Sequence, residues 1–113
     1  MKRGEVYWYE GPASPGEPKP KVRPVVVVST DAASDNEAYP YVTVVPVTSR
    51  VDAVYAFEVF LDQTLPKASK VQPQNIFTTP KRFLRQPAIC TLEWHAVADI
   101  TAKLARYLDI GIR

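Results

Sequence analysis

The chain has 113 residues, 46% of them hydrophobic and 23% charged, which is the composition of one ordinary globular domain with a modest core. One cysteine, Cys90, and one histidine, His95, exclude an internal disulfide and a structural zinc site and point to a reducing, cytoplasmic setting. The net charge of +2 selects no partner, and no apolar run nears the ~18 residues of a membrane span; the opening MKRGEVYWYEG lacks the apolar segment of a secretory signal.

Residues 4–9, GEVYWY, are aromatic and β-branched and predict a first strand. Residues 10–21, EGPASPGEPKPK, hold four prolines and two glycines and predict a loop, because proline cannot donate to a ladder. A second strand follows in VRPVVVVS, 22–29. Its unbroken valines predict burial on both faces, and Pro24 places its start at an edge or bulge. Residues 31–40, DAASDNEAYP, are a turn-rich connector. YVTVVPVTS, 41–49, is a third strand, with Pro46 expected to end regular pairing after Val45. VYAFEVFL, 54–61, alternates as a fourth strand. KVQPQNIF, 70–77, is a fifth, broken by Pro73, and AIC, 88–90, is a short sixth.

The period then changes. In 91–111, Val97, Ile100, Leu104, Tyr107 and Leu108 fall on one helical stripe. Thr91 is the expected N-cap, Glu93 suits the positive end of the dipole, Asp99 and Lys103 form an i,i+4 pair, and Gly111 is the expected stop. These elements predict a mainly β, α+β fold: a small, bent, mostly antiparallel sheet closed by a C-terminal helix.

Few residues suit nucleophilic catalysis. His95, beside Trp94 at the helix start, reads as a half-buried surface residue, and Cys90 as a small core residue. No G-x-S-x-G and no phosphate-cradling glycine loop is present. Charge is more informative by position. From Thr30 to Asp62 six acids face one base, Arg50, whereas Gln63 to Leu92 holds no acid but has Lys67, Lys70, Lys81, Arg82 and Arg85. That pattern fits either two solvated faces of opposite sign or a polyanion site, to which Lys19, Lys21 and Arg23 would add. Arg23 stands directly before the buried valines. It either pairs with a carboxylate at the rim or presents its planar fork to a phosphate. Thr48 and Ser49, at the end of the third strand, either cap a turn or bind a phosphoryl oxygen.

In order and spacing, MKRGEVYW, the Pro/Gly loop, KVRPVVVVS, VTVVPVTS, SKVQPQNI…PKR and the closing TLEWHAVADITAKLARYLDI resemble the MazF/PemK family of toxin endoribonucleases. The likeness spans nearly the whole chain. It implies a CcdB-like, SH3-like compact β-barrel with added helices, working as a homodimer. It also implies cleavage of single-stranded RNA at short sequences, with no metal or other cofactor, and inhibition by an acidic antitoxin. The arginine of the family's R-P-V motif falls on Arg23 and the threonine of its P-x-T-S motif on Thr48, the residues tied most closely to cleavage. The implied nucleophile is the RNA's own 2′-OH, giving a cyclic phosphate and a 5′-OH end.

Two departures stand out. The family's loop glutamate lies five residues before the arginine, where this chain has Pro18. Glu17, one residue earlier, becomes a base candidate if the loop carries an insertion. In VQPQNIF the family's acid is replaced by Gln74, its glutamine by Asn75 and its arginine by Phe77. A glutamine can orient RNA but cannot exchange a proton near neutral pH. Phe77 is either core or a stacking face for a base. The expected RNA-binding set is therefore Lys21, Ser49, Lys70, Gln74, Asn75, Phe77, Lys81 and Arg82. The acid-free run is the expected dock for the antitoxin. A relative that binds RNA or a partner without cutting, and a gyrase inhibitor of the CcdB type, are the alternatives.

Overall fold

The computed structural model describes residues 1–13, 16–62 and 64–111. Ser14 and Pro15 of the proline-rich loop, Gln63 at the head of the acid-free run, and residues 112 and 113 lie outside the described residues. The elements run β1 (Glu5–Tyr9), β2 (Arg23–Val27), α1 (Asp31–Ser34), β3 (Tyr41–Thr48), β4 (Val59–Leu61) and β5 (Ser69–Val71). A 3₁₀ turn (Pro73–Asn75), β6 (Phe77–Pro80), a second 3₁₀ turn (Lys81–Phe83), β7 (Leu84–Thr91) and α2 (Trp94–Tyr107) complete the chain. The strands pair antiparallel in the order β4-β5-β3-β2-β1-β7, with β6 also on β3.

Alternation along β2 builds two cores. Val26 joins Val6, Val45, Val47, Val71 and Ile100 of α2 on one face, while Val25 and Val27 join Tyr7, Val42, Val44 and Leu84 on the other. Successive side chains of a strand point to opposite faces, so a continuous valine run is what a doubly covered strand requires.

Pro46 does not end pairing. Val25 pairs with Pro46, and β3 continues to Val47 and Thr48, opposite Val71 and Lys70 of β5. The far edge of β3 changes partner here, from β6 at Tyr41–Val44 to β5 at Val47–Thr48. The Pro46 carbonyl accepts from Gln72 N at 2.9 Å. In a strand the N–H and C=O of one residue point the same way, so the nitrogen that lacks a hydrogen faces Gln72, just past the end of β5, and the pairing with β2 does not use it.

Other expectations also shift. The fourth strand shrinks to Val59–Leu61, because Glu58 and Tyr55 close a turn ahead of it (Glu58 N to Tyr55 O, 2.9 Å). The expected fifth strand splits into β5, a 3₁₀ turn and β6, and the connector 31–40 contains α1. The sixth strand begins at Leu84 rather than Ala88. Val6 pairs with Cys90 but Trp8 with Arg85, and Pro87 lies in the slack between them, where its missing N–H costs the ladder nothing.

Thr91 is not the helix cap: it pairs with Glu5 in the sheet, and Glu93 takes the N-cap position with an extended backbone. The helix stops before Gly111. Asp109 has φ 55°, Asp109 N donates to Arg106 O and Ile110 N to Ala105 O, which is a Schellman closure with aspartate in the left-handed position. Ile100 is the buried centre of the stripe, whereas Tyr107 and Leu108 at its end are exposed. The Asp99–Lys103 pair forms at 3.7 Å.

Candidate functional site

A groove of about 490 Å³ opens at the end of the second core, beside the β3 partner change. The β1–β2 loop contributes Glu17 and Lys21, β2 contributes Arg23, and the 3₁₀ turn with its flanks contributes Gln72, Gln74, Asn75 and Phe77. Tyr9 and Pro46 complete the part that carries chemistry.

Arg23 Nη2 donates to both carboxylate oxygens of Glu17, each at 3.2 Å. One nitrogen serves both oxygens, and among the described residues Nε and Nη1 have no hydrogen-bond partner, so part of the fork stays open to an anion. Both readings of Arg23 therefore meet: it pairs with a carboxylate and it faces a groove. Thr48 stands just outside the groove lining. The β2–β3 ladder ends at the Val25–Pro46 pair, and Arg23 and Thr48 each lie two residues beyond it on their own strands. The Thr48 hydroxyl oxygen accepts from Arg50 N at 3.2 Å, which leaves its own hydrogen to donate. Ser49 follows, exposed and outside the lining.

Phe77 is both core and groove wall. It packs on the second core and meets Tyr9 edge-on at 5.2 Å. Asn75 is exposed at the groove and Gln74 half-buried beside it.

The expected basic surface is not assembled. Lys70 is buried and paired with Glu58 at 2.9 Å, so it presents no cation to the surface. Lys81 and Arg82 line a separate cleft with Asp35 and Glu37, where Lys81 Nζ donates to the carbonyls of Ala33 and Asn36. Arg85 pairs with Glu10, and Lys67 is exposed away from the groove lining. The cations that do line the groove are Lys21 and Arg23. Proximity in sequence misled here because β5 turns inward while the second 3₁₀ turn faces another side.

Sequence reasoning missed Glu58, which is 1% exposed. Its carboxylate accepts from Lys70 Nζ at 2.9 Å, Tyr55 N at 2.9 Å, Gln74 Nε2 at 2.7 Å and Gln72 Nε2 at 3.3 Å. Its backbone carbonyl accepts from Lys103 of α2 at 2.8 Å. Burial pushes the Glu58 carboxyl up, but the donors, Lys70 foremost, outweigh it and bring its pKa down to about 2. The available signal was a lone acid inside the apolar run FEVF. Tyr9 was also missed as a groove residue; its ring lies over the Gly11 backbone, where any side chain would collide with it.

His95 is exposed and pairs with Glu93 at 3.2 Å, and burial raises the Cys90 thiol, so neither residue takes the part of a nucleophile. Among the described residues no group of three or more His, Cys, Asp or Glu is placed to hold a metal ion. Among them, too, no helix is long and apolar enough to cross a membrane.

The family model described as PemK-like, MazF-like toxin of type II toxin-antitoxin system matches residues 2–108. Endoribonuclease MazF9 of Mycobacterium tuberculosis (strain ATCC 25618 / H37Rv) is 32% identical over 116 residues, covering 97% of this chain and 98% of that protein. In fold, the chain is similar to MazF (form I) from Deinococcus radiodurans, with a TM-score of 0.80 at 24% identity and 97% of each chain covered. It is also similar to a mycobacterial endoribonuclease solved in complex with its cognate antitoxin, with a TM-score of 0.78 at 22% identity, covering 100% and 99% of the two chains. The chain belongs to the PemK-like, MazF-like family of type II toxins.

Proposed function

We propose that this toxin is an endoribonuclease that cuts single-stranded RNA in the Arg23 groove. The observation that carries the reading is the Glu17–Arg23 pair at 3.2 Å, set in a groove with amide and aromatic walls. Glu17 takes the proton from a 2′-OH of the bound RNA. That oxygen attacks the adjacent phosphorus, the bond to the 5′ oxygen breaks, and the leaving oxygen takes a proton from solvent. The products are a 2′,3′-cyclic phosphate and a 5′-OH end. Arg23 neutralises charge on the non-bridging oxygens as the phosphorane forms, and Thr48 donates to one of them. A preorganised donor aimed at developing charge contributes about 3–4 kcal/mol. The nucleophile belongs to the substrate, so the reaction asks for no cofactor.

Support for an antitoxin partner comes from the family and from the solved antitoxin complex. An acidic segment of that partner reaching Lys21 and Arg23 would compete with RNA for the groove. The chain is expected to act as a homodimer in the cytoplasm.

The test is incubation with total RNA in EDTA. The wild type is expected to release fragments with 5′-OH ends, and Arg23→Ala to release none while melting at the same temperature. Undiminished cleavage by Arg23→Ala would overturn the mechanism. A binding-only reading is favoured by one observation, Gln74 in place of an acid; tight RNA binding without fragments would establish it, and intact RNA with inhibited gyrase would establish the CcdB-type alternative.

A further inference from the structure

Gly11 is a glycine that its own backbone does not require. Gly4 and Gly16 hold positive φ, and Gly11 does not. What forbids a side chain at Gly11 is Tyr9, since a Cβ there would collide with Tyr9 Oη and Cζ. The glycine therefore keeps a place for the end of one tyrosine. That tyrosine is held on its other sides too. Its ring packs on the second core and meets Phe77 edge-on at 5.2 Å and Phe83 edge-on at 6.4 Å. In the β1–β2 ladder Tyr9 stands directly opposite Arg23, and residues opposite one another share a face of the sheet. Tyr9 and Arg23 thus leave neighbouring strands side by side, and both line the groove. The hydroxyl end of Tyr9 lies over Gly11, toward the loop whose Pro12, Ala13 and Glu17 line the groove as well. Among the described residues this hydroxyl has no hydrogen-bond partner. It is not closed off either: the buried side-chain atom that lacks a partner among them is Gln74 Oε1. An ordered hydroxyl with an unused hydrogen is a ready donor, and it gives up little freedom when a ligand takes it.

We infer that Tyr9 is an RNA-binding residue whose hydroxyl donates to a phosphate oxygen of the strand held by Arg23, and that Gly11 is the positioning residue that makes room for it. The inference rests on the nuclease reading above and adds a neutral phosphate contact to the groove's two cations. Arginine and tyrosine carry their tips a similar distance from the backbone, so a strand fixed by Arg23 passes within reach of the next rung. An anionic oxygen is also the acceptor that makes the most of a neutral O–H, because charge-assisted hydrogen bonds are about twice as strong as neutral ones.

The cut sequence is first mapped from fragments of total RNA. A short RNA of that sequence then receives a 2′-deoxy nucleotide on the 5′ side of the cut, which removes the nucleophile and lets affinity be measured without cleavage. Tyr9→Phe keeps the ring and its packing. It is expected to weaken binding about tenfold, with the melting temperature unchanged and the salt slope unchanged, since no cation is lost. Methylphosphonates are next placed at one linkage at a time. The Tyr9→Phe penalty should shrink at one linkage and persist at the others. Gly11→Ala should weaken binding to a similar extent although it touches no RNA, and in a Tyr9→Leu background the same change should cost nothing further. If Tyr9→Phe or Gly11→Ala binds as tightly as the wild type, or if the penalty is the same at every linkage, the inference is overturned while the nuclease reading stands. If the wild type cuts no RNA at all, both fall.

Discussion

Arg23 carries the proposed chemistry because its backbone is pinned between two buried strands while its side chain leaves them. Val25 to Val27 are almost wholly buried, so the rigid strand holds the fork at the groove in a set direction. Geometry matters here as much as charge. Arg23→Lys keeps the charge but loses the second arm of the fork. Single-turnover cleavage is expected to slow by roughly 10- to 100-fold; a rate within about twofold of the wild type would show that a point charge suffices. Glu58 gives a prediction of another kind. Its pKa of about 2 in the fold lies below the ordinary 4.5, so at low pH the unfolded chain binds the proton first. The stabilisation from Glu58 is complete above about pH 5 and disappears as pH falls toward about 2. The urea midpoint should therefore drop more steeply over that range in the wild type than in Glu58→Gln; parallel curves would contradict the assignment.

At the scale of elements, Gly4 shows how closely α2 is set onto the sheet. Gly4 has φ 93°, and a Cβ there would sit 2.8 Å from Val97 Cγ2 of the helix. Gly4 also bridges strands, donating to Val27 O and accepting from Leu92 N. Gly4→Ala combines a strained backbone with a clash, and is expected to cost about 1–3 kcal/mol in chemical denaturation. The same element scale shows what the sequence made legible. β2 and α2 were readable because their pattern is strong and unbroken: valines in one, a 3.6-residue stripe around Ile100 in the other. Arg23 and its groove neighbours Gln74, Asn75 and Phe77 were readable from motif order. The course of β3 past Pro46 was not, since proline reads as a breaker unless one knows that its nitrogen faces away from β2. Nor was the fate of Lys70, whose burial depends on Glu58, twelve residues earlier in the chain. The end of α2 was misplaced because aspartate, rather than glycine, takes the left-handed position.

For the whole molecule, the distribution of cations decides how binding responds to salt. With Lys21 and Arg23 as the groove cations, about two phosphates are neutralised. A plot of log affinity for single-stranded RNA against log salt should have a slope near about −1.4. A slope steeper than about −3 would bring Lys67, Arg82 or Arg85 into the RNA path. A slope that shallow would mean that the aromatic and amide walls carry much of the binding and that the separate cleft around Lys81 and Arg82 contributes little to it.

The shared edge of β3 reaches beyond the fold itself. Because β6 leaves that edge at Val44 and β5 takes it up at Val47, the turn carrying Gln74 and Asn75 is suspended at a seam between two independently paired ladders. Lengthening or shortening that turn would slide its amides relative to Arg23 without moving a single rung on either side. Recognition can thus diverge while the phosphate-handling corner stays put, and swapping this turn for that of a relative should transplant base preference and leave the cutting chemistry in place.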